Sequence, residues 1–160
     1  MSTTVSRPAR WALVAAFSAI AAFAQPVAAA DPVWLTVLGD PLDAKADTVQ
    51  VDVTSAVAFD NSRLVRLRAN RGELRQAQDG TMFRSYTSQV LIDCLAKTAR
   101  HRSQVLYEAP LWTGTTHELT YRDDDVRTLA FRGMEANPKD RIIRAACSIE
   151  LVESAKPATP

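Results

Sequence analysis

Residues 48–69, TVQVDVTSAVAFDNSRLVRLRA, decide the fold. The first six alternate: Val49, Val51 and Val53 fall on one side, Gln50 and Asp52 on the other, which is the two-residue period of a half-buried strand. The last seven repeat the pattern, with Val65, Leu67 and Ala69 opposed to Arg66 and Arg68. Between them, Asp60, Asn61 and Ser62 carry short polar side chains that hydrogen-bond their own backbone and so favour a turn. Two alternating runs around a turn predict a β-hairpin with one apolar face. That face needs a cover, and hiding its side chains at about 25 cal/mol per Å2 is the main driving term for the fold.

Further strands extend outward from this hairpin. Residues 33–38 (VWLTVL) form a β-prone run ended by Gly39, Asp40 and Pro41. Residues 70–80 are polar and read as a loop closing on Asp79 and Gly80. Residues 83–94 (FRSYTSQVLIDC) are the longest strand candidate, and residues 97–107 are its expected antiparallel partner, joined through Leu95 and Ala96. In that partner Ala99, His101, Ser103 and Val105 are expected on one face. Residues 108–114 are a loop around Pro110 and Trp112, residues 116–121 a further short strand, and 126–131 a strand or extended segment.

The period then changes. Asn137 is a helix-capping residue type, Pro138 suits the first helical position, and Asp140 in the first turn complements the helix dipole. Ile142, Ile143, Ala146 and Cys147 share one face, with Lys139, Arg141 and Arg144 on the other. The expected architecture is α+β: an antiparallel β-sheet of about five to six strands with a C-terminal helix packed on one face and one disulfide.

The N-terminus sets the compartment. Arg7 and Arg10 precede an uncharged run, residues 11–24 (WALVAAFSAIAAFA), broken by Gln25 and Pro26 and followed by Ala28-Ala29-Ala30. Basic region, short apolar core and small-residue end describe a secretory signal cleaved near Ala30. The run is short of the ~20 apolar residues that a membrane span needs. Residues 1–30 are therefore expected to be a signal peptide, 31–153 a single domain, and 154–160 a frayed tail. Past Ala30 the chain holds 17 basic and 18 acidic residues, a balance that offers no bulk attraction to nucleic acid. Cys94 and Cys147 are the only cysteines, both in the exported part, and an even pair in an oxidising compartment reads as a disulfide. Neither lies at the cleavage site, so a lipid anchor on a new N-terminal cysteine is not expected, and the protein is expected to be periplasmic or secreted.

No catalytic or metal motif emerges. His101 and His117 are the only histidines and no serine sits in a G-x-S-x-G elbow. The acidic triplet Asp123–Asp125 lacks the alternating spacing and distant glutamate of a calcium loop and reads as an exposed turn. No cofactor is expected. The most suggestive cluster is basic: Arg63, Arg66, Arg68, Arg71 and Arg75 lie within 13 residues. Arg66 and Arg68 point one way from their strand, and Arg84 is expected to extend that face. Such a stripe holds sulfated or phosphorylated polyanions or an acidic protein patch, or simply keeps a sheet face soluble. Trp112 is expected to be partly exposed, which completes a candidate binding face of Arg63, Arg66, Arg68, Arg84 and Trp112.

The order of features resembles a known family. Trp34 opens the domain, V-D-V-T-S spans residues 51–55, R-S-Y-T-S spans 84–88 and leads to I-D-C at 92–94, a basic strand ends in Tyr107, and a helix ends in Cys147. This is similar to the surface-adhesin protein E family over residues 34–147. The resemblance implies a helix-bearing antiparallel sheet stapled by the two cysteines, and binding rather than catalysis. The expected function is thus an exported non-enzymatic binding domain engaging host extracellular proteins or envelope polyanions, with a periplasmic glycan-binding or enzyme-inhibitor domain as the alternative.

Overall fold

The computed structural model of the protein describes residues 31–148. The expected signal peptide and the tail at 154–160 lie outside the described residues. Seven strands, β1 (Trp34–Leu38), β2 (Thr48–Phe59), β3 (Ser62–Gln76), β4 (Met82–Asp93), β5 (Thr98–Tyr107), β6 (Thr116–Thr120) and β7 (Arg127–Thr128), precede one helix, α1 (Lys139–Cys147). The first six lie side by side in chain order, every pair antiparallel. The free edge of β5 is shared: β6 pairs with Ser103–Tyr107, and β7 with Arg100 and His101. Among the described residues no helix is long and apolar enough to cross a membrane.

The hairpin at residues 48–69 forms as its alternation requires. Val49, Val51, Val65, Leu67 and Ala69 are all buried on one face. Tyr86, Val90 and Ile92 from β4 and Ala99 and Leu106 from β5 extend that face. Ile142, Ile143 and Ala146 of α1 cover it, and the strap leading to the helix adds Leu129, Phe131 and Met134. The helix begins one residue later than expected, with Pro138 at the cap position; the Asn137 side chain accepts from the Lys139 N–H at 3.0 Å, and Ile142 N–H donates to Pro138 O at 3.0 Å. Cys94 at the end of β4 is bonded to Cys147 at the end of α1, with Cα atoms 5.7 Å apart. The disulfide therefore ties the cover to the sheet.

Two expectations are corrected. The polar segment at 70–76 is not loop but the second half of β3. Its first polar residues serve internal partners rather than water, Asn70 being fully buried and Arg71 nearly so, while Glu73 and Gln76 stay exposed. Here four β3 residues, 71–74, stand against Arg84 alone, because Asn70 pairs with Ser85 and Arg75 with Phe83. The bulge pushes Gly72 against the β1–β2 loop, so that a Cβ there would lie 2.4 Å from the Lys45 carbonyl oxygen.

The second correction concerns β5. Gln89 pairs with Ser103 but Val90 with His101, so Arg102 is an extra residue. A single inserted residue reverses the facing of everything beyond it. The core side passes from Ala99 and His101 to Gln104 and Leu106, and Ser103 and Val105 turn to the opposite face.

Candidate functional site

The face of the sheet away from α1 carries a stacked centre. Arg68 leaves β3 on this side, opposite Val65 and Leu67, as alternation demands. Its guanidinium lies between two indoles, 4.1 Å from the Trp34 ring centroid and 3.9 Å from that of Trp112. Each face of the cation meets the negative face of an aromatic ring. In-plane orientation comes from Gln50, whose Oε1 accepts from Arg68 Nε at 2.7 Å while its Nε2 donates to Thr36 Oγ1 at 3.0 Å. Burial between the rings lowers the guanidinium pKa from its ordinary value, opposed by the charge of Asp52. Among the described residues no acceptor reaches the two terminal nitrogens of Arg68, so they are available to a ligand.

Trp112 is held in place by a strained loop. Leu111 and Trp112 both have positive φ, 53° and 60°, a conformation that costs a non-glycine residue energy and persists only when its surroundings impose it. Here the Leu111 N–H donates to Asn70 Oδ1 at 2.8 Å and the Trp112 N–H to Ser85 Oγ at 2.9 Å. Ser85 Oγ in turn donates to Ala109 O at 2.8 Å, and the indole N–H reaches Tyr86 O at 3.2 Å. Asn70 also donates to Ala46 O at 2.7 Å and Ala44 O at 3.3 Å. One buried amide thus joins the β1–β2 loop, β3 and the Trp112 loop.

Beside the stack, Arg66 pairs with Asp52 through Nε at 3.1 Å and Nη2 at 2.6 Å. The Asp52 carboxylate is fully buried, yet the balance lowers its pKa: burial opposes ionisation, but hydrogen bonds from Thr54 and Arg66 outweigh it. Arg66 is half-exposed, and its outer edge remains open to solvent. Past Arg66 the same face opens into a groove of about 560 Å3 floored by Phe59, Leu64 and Leu91, with Arg100, Arg102 and Asp123 at its rim.

The structure divides the arginines that adjoin in sequence. Arg66 and Arg68 share the outer face with Trp112. Arg63 shares its parity with Val65, on the helix-bearing side, and its guanidinium folds back to Ser62 O at 3.0 Å and Asp60 O at 3.4 Å. Arg84 is committed to backbone rather than to the stack. It donates to the carbonyls of Arg71, Gly72 and Ala44 at 3.0–3.1 Å, clamping the β3 bulge to the β1–β2 loop. Trp34 and Gln50 join the site instead. Trp34 sits on β1, and the pairing of Trp34 with Asp52 brings it next to Arg68, a neighbour that sequence distance conceals.

His101 and His117 do not meet. His117 Nε2 lies 3.0 Å from Asp79 Oδ2 on the surface. His101 is buried, with Nδ1 2.7 Å from Ser88 Oγ. Ser88 has one hydroxyl proton, and Ser103 O, 2.7 Å away, can only accept it. The imidazole is therefore the donor at Nδ1, opposite to the direction that would activate a serine. The expected acidic turn holds, but each carboxylate has a partner: Asp123 pairs with Arg100 and Arg102, Asp124 with Arg122, and Asp125 with Arg127. Among the described residues no three His, Cys, Asp or Glu side chains cluster in a way that could hold a metal.

No curated protein and no solved structure matches the chain. The family model for Surface-adhesin protein E matches residues 34–148, from the first residue of β1 to the residue after Cys147. That span holds the whole sheet, the helix, the disulfide and the Trp34–Arg68–Trp112 stack, and the chain belongs to the surface-adhesin protein E family.

Proposed function

We propose that this chain is an exported, non-enzymatic adhesion domain that engages host or envelope macromolecules through the helix-free face of its sheet. The observation that carries this reading is Arg68 stacked between Trp34 and Trp112, with its two terminal nitrogens open. Tryptophan and arginine are the residue types that dominate binding energy in interfaces, and a desolvated guanidinium held in one orientation loses little entropy on binding. The strained loop under Trp112 presents an aromatic surface that packing alone does not require. Family membership supports adhesion. The signal-like pattern of residues 1–30 and the disulfide support export to the periplasm or beyond.

The test is binding to immobilised heparin and to extracellular-matrix proteins. Arg68→Ala and Trp112→Ala should each weaken retention about tenfold or more, the cost of a central anchor. Wild-type retention in both variants would refute the assignment of this face. The mass of the exported protein should place its N-terminus at Asp31. Protease shaving of intact cells separates surface display from periplasmic residence.

A further inference from the structure

On the helix-bearing side, beyond the end of the core, lies a second cleft of about 580 Å3, within the range of small-molecule sites. Its floor is β4–β6, and its walls are the β3–β4 hairpin and the strap at residues 126–132. The bulges place its residues. The extra Arg102 in β5 turns Gln104 and Leu106 inward beside Tyr86, and the bulge in β3 directs Arg71 and Arg75 to the strap.

The cleft has a cationic end and an apolar end. Arg71 and Arg75 converge under Gly133: a Cβ built there would lie 3.5 Å from Arg75 Nη2 and 3.9 Å from Arg71 Nη2. Arg71 is paired with Asp47 at 3.1 Å and donates from Nη2 to Arg132 O at 2.9 Å, so it adds charge rather than a free donor; Arg75 reaches only Glu73 at 3.7 Å, and its buried Nε has no hydrogen-bond partner among the described residues. A guanidinium with a buried, unpaired N–H carries a desolvation cost that a carboxylate or phosphate oxygen would offset, and the neighbouring Arg71 charge adds to the attraction for an anion. At the other end Phe83, Leu106 and Leu119 offer an apolar floor. His101 contributes an acceptor here, because its Nδ1–H is committed to Ser88 and the Nε2 lone pair remains.

We infer that this cleft binds a small organic anion, one carboxylate or phosphate group on an aromatic or aliphatic body, with the acidic group on Arg75 and Arg71 and the body over Phe83, Leu106 and Leu119. The site is independent of the adhesion face, since it lies on the other side of the sheet and shares no residue with the Trp34–Arg68–Trp112 stack.

The experiment is calorimetry and thermal shift on the wild-type protein with phenyl phosphate, phenylacetate, inorganic phosphate and benzyl alcohol as probes. At least one aromatic anion should bind saturably, and the stronger of the two identifies phosphate or carboxylate as the preferred head. Inorganic phosphate and benzyl alcohol, each carrying half of the recognition, should bind at least tenfold more weakly. Arg75→Gln, at a half-exposed position that tolerates an uncharged side chain, should weaken the aromatic anion about tenfold, and Leu119→Trp should block it by filling the floor. Arg68→Ala on the opposite face should leave it unchanged. No saturable binding by either aromatic anion, equal binding of inorganic phosphate, or unchanged affinity in Arg75→Gln would overturn the inference.

Discussion

Replacing Asn70 tests whether the Trp34–Arg68–Trp112 face is held by the buried hydrogen-bond network beneath it. The Asn70 amide is fully buried and makes three hydrogen bonds, donating at 2.7 and 3.3 Å to Ala46 and Ala44 and accepting at 2.8 Å from Leu111. Asn70→Ala leaves Ala46 O and the Leu111 N–H without these partners, while Ala44 O keeps its bond from Arg84. An orphaned buried polar group costs about 1–3 kcal/mol, and the long 3.3 Å bond counts for little, so the loss comes to about 3 kcal/mol. For a domain of this size that lowers the melting temperature by roughly 10 °C. Asn70→Asp sharpens the test because it keeps the shape. It still accepts from Leu111, but as a carboxylate it faces the Ala44 and Ala46 carbonyls without a proton to donate. Burial and those carbonyls raise the folded-state pKa of the introduced acid above its unfolded value. Its stability deficit is then full at neutral pH and shrinks as pH falls through the folded pKa, because the protonated acid can donate to Ala46. Urea denaturation followed by circular dichroism from pH 7 to pH 4, with tryptophan emission reporting the Trp112 loop, measures all of this. An Asn70→Ala cost under about 0.5 kcal/mol, the size of an ordinary surface substitution, would refute the reasoning. So would an Asn70→Asp deficit that does not change with pH.

Two further outcomes follow from the core. The disulfide closes a separation of 53 residues, which on chain-entropy grounds stabilises by about 4 kcal/mol. The double variant Cys94→Ser/Cys147→Ser should lose an amount of that order in denaturant titration and should free the helix cover first, seen as faster hydrogen exchange in α1 than in β3. His101 has its pKa pushed down to about 4 by burial. Because the folded value lies below the unfolded one, its neutral form favours folding above about pH 6.5, and that stability is lost as pH falls toward 4, about 3 kcal/mol across the window. His101→Phe should flatten the acid limb of the stability curve over that window relative to wild type. An unchanged slope, or an imidazole titrating near 6.5 by NMR, would show that the ring is hydrated.

The hairpin, the long β4, the helix and the cysteine pair were legible in the residue pattern because each follows from a local period or a compartment rule. Val49, Val51, Val65 and Leu67 lie where a two-residue alternation puts them, and Ile142, Ile143 and Ala146 where a helical one does. The second half of β3 was not legible. Asn70 and Arg71 are polar because they bond to distant segments, and no local period records that. The facing of β5 was lost at Arg102, since a bulge has no composition of its own. The candidate face was half legible: Arg66, Arg68 and Trp112 were chosen by residue type, and they do lie together. Arg63 has the opposite parity to Arg66 and Arg68, and Arg84 is bonded to the carbonyls of Arg71, Gly72 and Ala44, commitments that no local pattern records.

The chain's residues by themselves determined that there is an antiparallel sheet, that one of its faces is covered by a C-terminal helix, that the cover is stapled by Cys94–Cys147, and which family this order of features resembles. These are properties of alternation, capping chemistry and cysteine count, and they need no knowledge of which strands meet. Tertiary structure alone decided that Trp34 and Trp112, 78 positions apart in the chain, enclose Arg68, and that Arg71 and Arg75 turn away to a separate cleft. Register and bulges make those choices, and both are settled by how whole strands pack rather than by any residue's own preference.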